Sequence, residues 1–291
     1  MTSYVIITPA HNEEAFIEKT IQSVINQTIP PIRWIVVNDA STDRTREIVE
    51  HYAARHDFLR LVNVDRPAGR HFGNKVRAFR QGEALLSGLN YEYIGNLDAD
   101  VSFESEYMAN ILLQFEKDPK LGIGGGMIHS RLGDQYISQR VSLDSVAGAV
   151  QLFRRECFEQ VGGYIALPLG GIDSAAEIIA RMKGWTVRTF PQNRVLEHRR
   201  TGSATARPLT SRVKEGRRMH SLGYSPLFFL LHCVYRSMDK PRILGSGAAL
   251  FGYFANALGG GQIALAPDVV RYLRNEQREK IKLLLRPPEW L

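Results

Sequence analysis

Cysteine is scarce in this sequence: only Cys157 and Cys233 occur among its 291 residues. Neither forms part of a Cys-x-x-Cys pair or of the Cys/His spacing that is typical of zinc sites. A chain of this length buries enough apolar surface to fold without disulfide bonds, so two cysteines fit a reducing compartment. The pattern argues against a disulfide-stabilised secreted scaffold and against a structural zinc domain.

Long apolar runs are also absent. The first residues lack the basic region and apolar core of a signal peptide. Two later stretches, 227–235 and 243–258, are strongly apolar. Neither reaches the ~20 residues that a membrane-spanning helix needs. We therefore expect a cytoplasmic protein that at most lies against the inner face of the cell membrane.

Acidic residues are few between positions 199 and 242, where ten Lys or Arg accompany only Glu215 and Asp239. The whole chain has a formal net charge of +7. A basic segment attracts polyanions or an anionic membrane surface, although a solvated basic face has the same charge pattern. Because the short apolar runs have basic flanks, we predict peripheral membrane contact through 209–258. An ordinary helical cap is the alternative, and no nucleic-acid partner is expected.

Strand and helix patterns alternate through the first 200 residues. Strands are predicted at 4–8, 34–37, 59–62, 91–97, 146–153 and 186–190, and helices at 13–27, 43–55, 70–89, 104–117 and 172–183. This alternation predicts an α/β fold with a mostly parallel central sheet flanked by helices. The composition changes after about residue 200, so we predict one α/β domain at 1–202 and a basic, partly apolar helical region at 203–291.

Two carboxylates, Asp98 and Asp100, follow the predicted strand at 91–97. In open α/β sheets, ligands bind outside the carboxyl ends of the strands. Paired carboxylate oxygens at that edge suit Mg²⁺ or Mn²⁺, and such an ion suits a diphosphate. Asp-x-Asp is also common in turns, so the pair alone leaves a plain Asp-rich turn open.

Polar residues also follow the first two strands. Pro9, Ala10, Asn12 and Glu13 lie between the first strand and the next helix, where an anion or a polar ligand is favoured. Asn12 is also a candidate N-cap for that helix.

The second strand is followed by Asp39, whose carboxylate is placed to accept hydrogen bonds from a base or a ribose. Asp43, four residues later, is better explained as the cap of the following helix.

Taken together, these motifs resemble family 2 glycosyltransferases of the GT-A fold. That family has a Pro-x-x-Asn-Glu segment, an Asp-x-Ser-x-Asp segment and a metal-binding Asp-x-Asp in this order. The matching residues are Pro9, Asn12 and Glu13 after the first strand, Asp39, Ser41 and Asp43 after the second, and Asp98 and Asp100 after the fourth. The resemblance covers about residues 3–200.

The resemblance implies a nucleotide-diphosphate sugar as donor and Mg²⁺ or Mn²⁺ as cofactor. It places Asp100 directly on the metal, Asp98 on the ribose or on the metal through water, and His198 as a residue that completes the metal site or touches the diphosphate. The implied donor-binding residues are Pro9, Ala10, Asn12, Glu13, Asp39, Lys75 and Asp98. Structural alternatives stay open for two of these residues: Lys75 as a solvated helix lysine and His198 as a structural histidine.

The resemblance also implies a catalytic base. The family has two consecutive acids before a late helix, whereas this chain has Ile172 and Asp173. Asp173 matches the second acid, the proposed base, and Glu177 lies one helical turn later, where it would orient or replace Asp173. An N-cap role for Asp173 is the structural alternative. A base is needed because the attacking hydroxyl must lose its proton, and direct attack inverts the anomeric centre.

We therefore expect an inverting glycosyltransferase that acts on a saccharide or lipid-linked hydroxyl acceptor in cell-envelope polysaccharide or glycolipid synthesis. The alternative is a non-catalytic nucleotide-sugar or glycan-binding protein on the same fold. Ile172 in place of an acid favours that alternative, and the presence of Asp98, Asp100 and Asp173 disfavours it.

Overall fold

Strands and helices alternate through the first part of a computed structural model of the protein, which describes residues 2–65, 73–138, 142–199, 208–238 and 242–285. The strands are β1 (Tyr4–Ala10), β2 (Arg33–Asp39), β3 (Leu59–Val64), β4 (Tyr93–Leu97), β5 (Val101–Phe103), β6 (Leu121–Leu132), β7 (Gln135–Ser138), β8 (Val150–Arg154) and β9 (Thr186–Glu197). The helices are α1 (Ile17–Ile25), α2 (Thr45–Ala53), α3 (Gly73–Ala84), α4 (Tyr107–Lys117), α5 (Arg155–Val161), α6 (Ile172–Met182), α7 (Pro208–Ser221), α8 (Pro226–Tyr235), the short 3₁₀ helix η1 (Arg236–Met238), α9 (Arg242–Leu258) and α10 (Pro267–Leu285).

These elements form two compact units. The first unit consists of Met1–Ala166 and Ile172–Thr201, and the second of Leu167–Gly171 and Gly202–Leu291. All described strands belong to the first unit, in one nine-stranded sheet with the order β3-β2-β1-β4-β8-β6-β9-β5, and β7 pairs with β6 outside this path.

The first four strands of the order β3-β2-β1-β4 pair in parallel, as the sequence pattern predicts. Their register places Ala10 beside Asn38 and Ile7 beside Asn96. The carboxyl ends of β1, β2 and β4 therefore lie at one edge of the sheet, where α/β folds bind ligands.

The other half of the sheet is mixed, which the alternation of elements did not predict. β8 runs antiparallel to both β4 and β6, β5 runs antiparallel to β9, and β9 runs parallel to β6. Parallel neighbours need a crossover connection, whereas β6, β7 and β8 succeed one another with no helix among the described residues between them. The antiparallel pairing of β5 with β9 brings the chain after Glu197 back to the acidic pair that follows β4.

The core of the first unit lies between the sheet and its helices. Trp34 is fully buried, and its indole N–H donates to Thr8 Oγ1 over 2.9 Å. Helix α1 turns the residues Ile17, Ile21 and Val24 inward at helical spacing.

Helix starts differ from the sequence expectations by several residues. The helix expected from residue 13 begins at Ile17 with Phe16 as its N-cap, so the N-cap role weighed for Asn12 is wrong. Asn12 instead has a φ of 57°, in the left-handed region that asparagine tolerates better than most residues. In α2 the cap position is Arg44, but Asp43 still accepts hydrogen bonds from the backbone N–H and the hydroxyl of Thr45.

The second unit is helical. Helices α7 and α9 cross closely at two glycines: a Cβ on Gly216 would lie 1.8 Å from the Ala249 carbonyl oxygen, and one on Gly252 would lie 2.1 Å from that of Val213. A small cluster of Phe229, Cys233, Ala249 and Tyr253 forms the buried apolar contacts around this crossing. Helix α10 lies within the helical region predicted for 203–291, although its bounds were not predicted.

Each unit contains one cysteine. Cys157 in α5 and Cys233 in α8 are both buried and both free thiols. Within the part of the chain that the structure describes, no helix is both long enough and apolar enough to cross a membrane.

Candidate functional site

The loops after β1 and β2 are tied together through Asn12. Its side-chain oxygen accepts from the Thr42 backbone N–H over 2.8 Å, and its own N–H donates to Ser41 Oγ over 3.1 Å. The next N–H, that of Glu13, donates to Thr45 Oγ1 over 2.7 Å. Asn12 therefore fixes the shape of the sheet edge, and its left-handed backbone turns the chain from β1 towards that edge.

Asp39 lies at the end of β2, with only 6% of its side chain exposed. Its Oδ1 accepts from Arg77 Nη2 of helix α3 over 2.7 Å, and His11 Nδ1 lies 2.7 Å from its backbone oxygen. The Nε of Arg77 is buried and has no hydrogen-bond partner among the described residues. Sequence analysis identified Asp39 but not its cationic partner.

Lys75 of α3 reaches the acidic pair after β4. Its Nζ donates to Asp98 Oδ1 over 2.5 Å and lies 3.5 Å from the Gly148 carbonyl oxygen. That carbonyl also accepts from Asn96 Nδ2 over 2.6 Å. On its other side Gly148 packs against Asp173, since a Cβ at this glycine would lie 2.8 Å from Asp173 Oδ2. Gly148 therefore joins the Lys75 and Asp98 pair to Asp173, although sequence analysis did not single it out.

Three carboxylates act electrostatically on the Lys75 ammonium group. Burial alone would lower the pKa of Lys75, but the neighbouring carboxylates of Asp98, Asp173 and Asp100 outweigh burial and raise that pKa. Lys75 is therefore positively charged and paired, and the alternative of a solvated helix lysine is not what the structure contains.

Asp100 and Glu13 share a second cation, Arg199, which follows β9. Arg199 Nε donates to Asp100 Oδ2 over 3.1 Å, and its Nη2 donates to Glu13 Oε2. The guanidinium carbon also lies 5.3 Å from the centre of the Phe16 ring. Arg199 therefore lies among the acids at this edge of the sheet, and residues 200–207, which follow it, are outside the described residues.

The acids around Arg199 are held partly out of water. Burial raises the pKa of Asp100 to about 6, and the Asp98 carboxylate adds to this shift. Burial also raises the pKa of Glu13 to about 7, against the opposing effect of Arg199. An additional positive charge would stabilise the ionised forms of these two neighbouring carboxyl groups.

His198 lies next to Asp100, because its backbone N–H donates to the Asp100 carbonyl oxygen over 2.8 Å. Both ring nitrogens have hydroxyl partners: Nε2 lies 2.8 Å from Ser102 Oγ and Nδ1 lies 2.7 Å from Tyr136 OH. Burial lowers the pKa of His198 to about 4, so the ring is neutral near pH 7. In this arrangement the ring would have to release a hydroxyl before it could ligate a metal.

Asp173 lies in the first turn of α6, which begins at Ile172, and so inside the helix rather than at its cap. Glu177, one turn later, is 3% exposed, and both of its carboxylate oxygens accept hydrogen bonds from groups other than Asp173. Its Oε1 accepts from the Val146 N–H over 2.7 Å, and its Oε2 accepts from Ser145 Oγ over 2.8 Å. Glu177 therefore anchors the segment that carries Gly148, and burial raises its pKa to about 7.

A divalent metal fits the acids after β4 only with help from a ligand. Among the described residues, no three His, Cys, Asp or Glu side chains converge as a complete set of metal ligands. Mg²⁺ commonly binds through one or two carboxylates, with substrate phosphates and water filling the remaining positions. Asp98 and Asp100 meet that requirement, and the raised pKa of Asp100 favours a cation beside it.

Comparison with known proteins identifies the family. The sequence profile of glycosyl transferase family 2 matches residues 5–162. The chain belongs to this family. This membership agrees with the resemblance of its motifs, and the matched residues include the ends of β1 to β8 but not the end of β9.

Two curated relatives share part of this family 2 chain. A probable glycosyltransferase, YdaM, of Bacillus subtilis is 35% identical over 209 residues, which cover 64% of this chain and 48% of that protein. A poly-beta-1,6-N-acetyl-D-glucosamine synthase of Staphylococcus epidermidis is 28% identical over 143 residues, which cover 48% of this chain and 32% of that protein. The chain thus matches about a third to a half of the length of these relatives.

A solved structure confirms the fold. The mannosyltransferase PcManGT of Pyrobaculum calidifontis, in complex with GDP-Man and Mn²⁺, superposes with a TM-score of 0.55 at 20% identity. The likeness covers 98% of this chain and 81% of that one. The expected α/β fold of the GT-A type, with a helical C-terminal region, is therefore confirmed.

Sequence reasoning missed the residues that position the site: Arg77, Asn96, Gly148 and Tyr136. Asn96 and Gly148 contribute through one contact, that of the Asn96 side chain with the Gly148 carbonyl oxygen. A contact to a backbone carbonyl corresponds to no sequence motif. Arg77 carried a usable signal, because it lies two residues after Lys75 on the helix that faces the carboxyl ends of β1 and β2.

Proposed function

We propose that this family 2 glycosyltransferase transfers a sugar from a nucleotide-diphosphate donor to a hydroxyl acceptor by metal-assisted direct displacement. One observation carries the proposal: Lys75 pairs with Asp98 beyond the carboxyl end of β4, and the carboxylates of Asp100 and Asp173 also act electrostatically on its ammonium group. This arrangement supports a diphosphate on one side of Lys75 and a base on the other.

The donor nucleoside is assigned to the loops after β1 and β2. The buried Asp39 carboxylate would accept hydrogen bonds from the base, held in place by Arg77. Pro9, Ala10 and Glu13 would line the same site from β1 and the loop after it. Asn12 contributes by holding the two loops together, which is a positioning role.

Mg²⁺ or Mn²⁺ is assigned to Asp100 and Asp98. When bound, such an ion would neutralise charge that builds up on the departing diphosphate. Lys75 would bind the same phosphates from the α3 side. The ion pairs of Arg199 with Asp100 and Glu13 would break as the donor binds. His198 joins this set only if it gives up Ser102 or Tyr136; a Tyr136→Phe variant with higher Mn²⁺ affinity would support that role.

Asp173 is assigned as the general base. It would accept the proton of the acceptor hydroxyl while that oxygen attacks the anomeric carbon, and the bond to the diphosphate would break in the same step. Attack from the side opposite the leaving group inverts the anomeric configuration. Its position across Gly148 from Asp98 supports a base on the far side of the sugar.

The acceptor is assigned to the saccharide or lipid-linked class, in polysaccharide or glycolipid synthesis of the cell envelope. Support comes from the relative that is named as a poly-beta-1,6-N-acetyl-D-glucosamine synthase. The two free, buried cysteines fit the reducing cytoplasm, which we propose as the compartment.

The test is a thermal-shift screen of nucleotide sugars with and without Mn²⁺, followed by transfer assays on the best donor. A true donor raises the melting temperature by mass action, and more so with the metal. Chelation should stop transfer. Full turnover in both Asp100→Ala and Asp173→Ala would contradict the mechanism.

A further inference from the structure

Helix α9 has two apolar faces, and in the part of the chain that the structure describes only one of them is buried. Gly245, Ala249, Gly252 and Tyr253 are buried, and they pack towards α7 and α8. On the opposite side, an exposed apolar stripe repeats every three or four residues. This outer α9 face consists of Ile243, Leu244, Gly247, Phe251, Phe254 and Leu258.

The exposure on this face is large. Ile243 is 72% exposed, Phe251 65% and Leu258 88%. A helix of 17 residues is about 25 Å long, so the stripe runs along most of that length. Single exposed apolar residues are normal on a protein surface, but a continuous stripe of this size marks an interaction site.

Charge is distributed unevenly around the outer α9 face. No Asp, Glu, Lys or Arg occurs from residue 243 to residue 267. The exposed Arg242 lies at the N-terminal end of the helix, near the exposed side chains of Tyr235 and Met238, whereas Arg236 is paired with Glu215. Across residues 208–258 the sequence has seven Lys or Arg and only Glu215 and Asp239 as acids.

We propose that the outer α9 face docks on an anionic lipid bilayer, with α9 lying in the plane of the interface. A helix with an apolar stripe and a basic end, here the N-terminal end with the exposed Arg242, binds there through apolar burial plus attraction to lipid phosphates. The proposal does not depend on the sugar donor or on the chemistry of the first unit.

Vesicle co-sedimentation of the whole chain tests the proposal. The vesicles contain phosphatidylcholine alone or phosphatidylcholine with phosphatidylglycerol, at low and at high salt. We expect binding to the anionic vesicles, weaker at high salt and weakest on the neutral lipid. A double variant, Phe251→Ser with Leu258→Ser, should lower the partition coefficient about tenfold or more.

A matched control changes two exposed apolar residues of the first unit, Leu132→Ser with Ile137→Ser, which are 60% and 49% exposed. This variant should bind vesicles like the unchanged chain. Absence of binding to the anionic vesicles, or equal losses in the two double variants, would overturn the proposal.

Two further measurements separate lipid docking from its alternatives. Phe251→Trp, a mild change at an exposed position, should gain blue-shifted tryptophan emission on anionic vesicles, and no shift relative to the unchanged chain would overturn the proposal even if the serine variant misfolds. Light scattering should show a monomer without lipid. A dimer that Phe251→Ser with Leu258→Ser disperses would overturn lipid docking in favour of a second copy of the chain.

Discussion

In the first unit, carboxylates and cations around Lys75 and Arg199 are partly buried. In the second unit, by contrast, large apolar side chains along α9 are exposed to water. Among the described residues, fourteen exposed large hydrophobic side chains lie in the second unit and seven in the first. The first unit has the larger core and the second has only a small cluster.

From this difference we infer that the first unit carries the charged site and the second unit carries the proposed docking surface. Holding several charges in a partly buried cluster needs a rigid surrounding core, because unpaired charges are costly there. The first unit supplies that core. A surface that docks needs exposed apolar area on a stable helix, which the second unit supplies through the close crossing of α7 and α9.

Removing a carboxylate from the first unit tests most directly whether the two units have separate roles. Asp173→Asn should lower the transfer rate about 10²–10⁴-fold, the usual range for loss of a general base. Asp100→Asn should act mainly through the metal requirement. Initial rates at saturating donor would measure both effects.

The control for these variants is Asp134→Asn, an exposed carboxylate near Arg131. It should leave the rate unchanged, and none of the three variants should alter vesicle binding. A loss of vesicle binding in Asp173→Asn would show that the two units do not act separately.

The second unit should be most sensitive at its glycine crossing. Gly216→Ala places a Cβ 1.8 Å from the Ala249 carbonyl oxygen and should destabilise the crossing by about 3 kcal/mol. Hydrogen exchange in α7 and α9 should accelerate, while exchange in β1, β2 and β4 should not change.

The matched control makes the same substitution at Gly247, where a Cβ would meet no atom of the described residues within 4 Å. Gly247→Ala should stabilise α9 by up to about 1 kcal/mol, because alanine is the better helix former. Equal effects of the two alanines on exchange would contradict the close crossing.

Glu177 links the stability of the first unit to pH. Its pKa is raised from 4.5 to about 7, so the folded chain holds this proton more tightly than the unfolded chain. Its contribution to stability should therefore fall as pH rises from about 4.5 to 7, by about 2–3 kcal/mol. Denaturant unfolding at pH 5 and pH 8 would measure this change.

In Glu177→Gln the loss of stability between these pH values should be smaller by that amount. The exposed Glu50, which pairs with Arg46, provides the control, and Glu50→Gln should keep the slope of the unchanged chain. Identical slopes in all three proteins would contradict the assignment.

The smallest expected effect is at Gly148. Gly148→Ala places a Cβ 2.8 Å from Asp173 Oδ2, so the carboxylate must shift by a few tenths of an ångström. We expect kcat to fall about tenfold with little change in KM for the donor, since misplaced reacting groups slow the chemical step.

The control for Gly148 is Gly73→Ala, because among the described residues a Cβ there meets only the Ala166 Cβ, at 3.9 Å. It lies on the same helix as Lys75 and should leave kcat unchanged. If Gly148→Ala changed donor affinity rather than kcat, Gly148 would be assigned to the donor site instead of the acceptor site.

The sequence was sufficient to predict the elements that carry strong periodicity and the residues that follow them. Helix α6 begins at Ile172 as expected, and Asp98 and Asp100 follow β4 as expected. These features depend on residues that are neighbours in the chain, which is what a sequence pattern contains.

Features that depend on distant residues were not predictable in the same way. The antiparallel entry of β8 and the role of Gly148 both arise from where the chain returns to the sheet. His198 was assigned by its position after the last strand, but its hydroxyl partners Ser102 and Tyr136 come from β5 and β7. A lone side chain does not reveal partners that sheet pairing brings to it.

The two free cysteines have a practical consequence for following these units in solution. Cys157 belongs to the first unit and Cys233 to the second, and burial raises their thiol pKa values to about 12 and about 11. Only the thiolate reacts with alkylating reagents, so each thiol should stay unlabelled until its own unit opens. The rate of labelling at each cysteine therefore reports local opening of its own unit, so the chain contains one natural probe of opening in each unit.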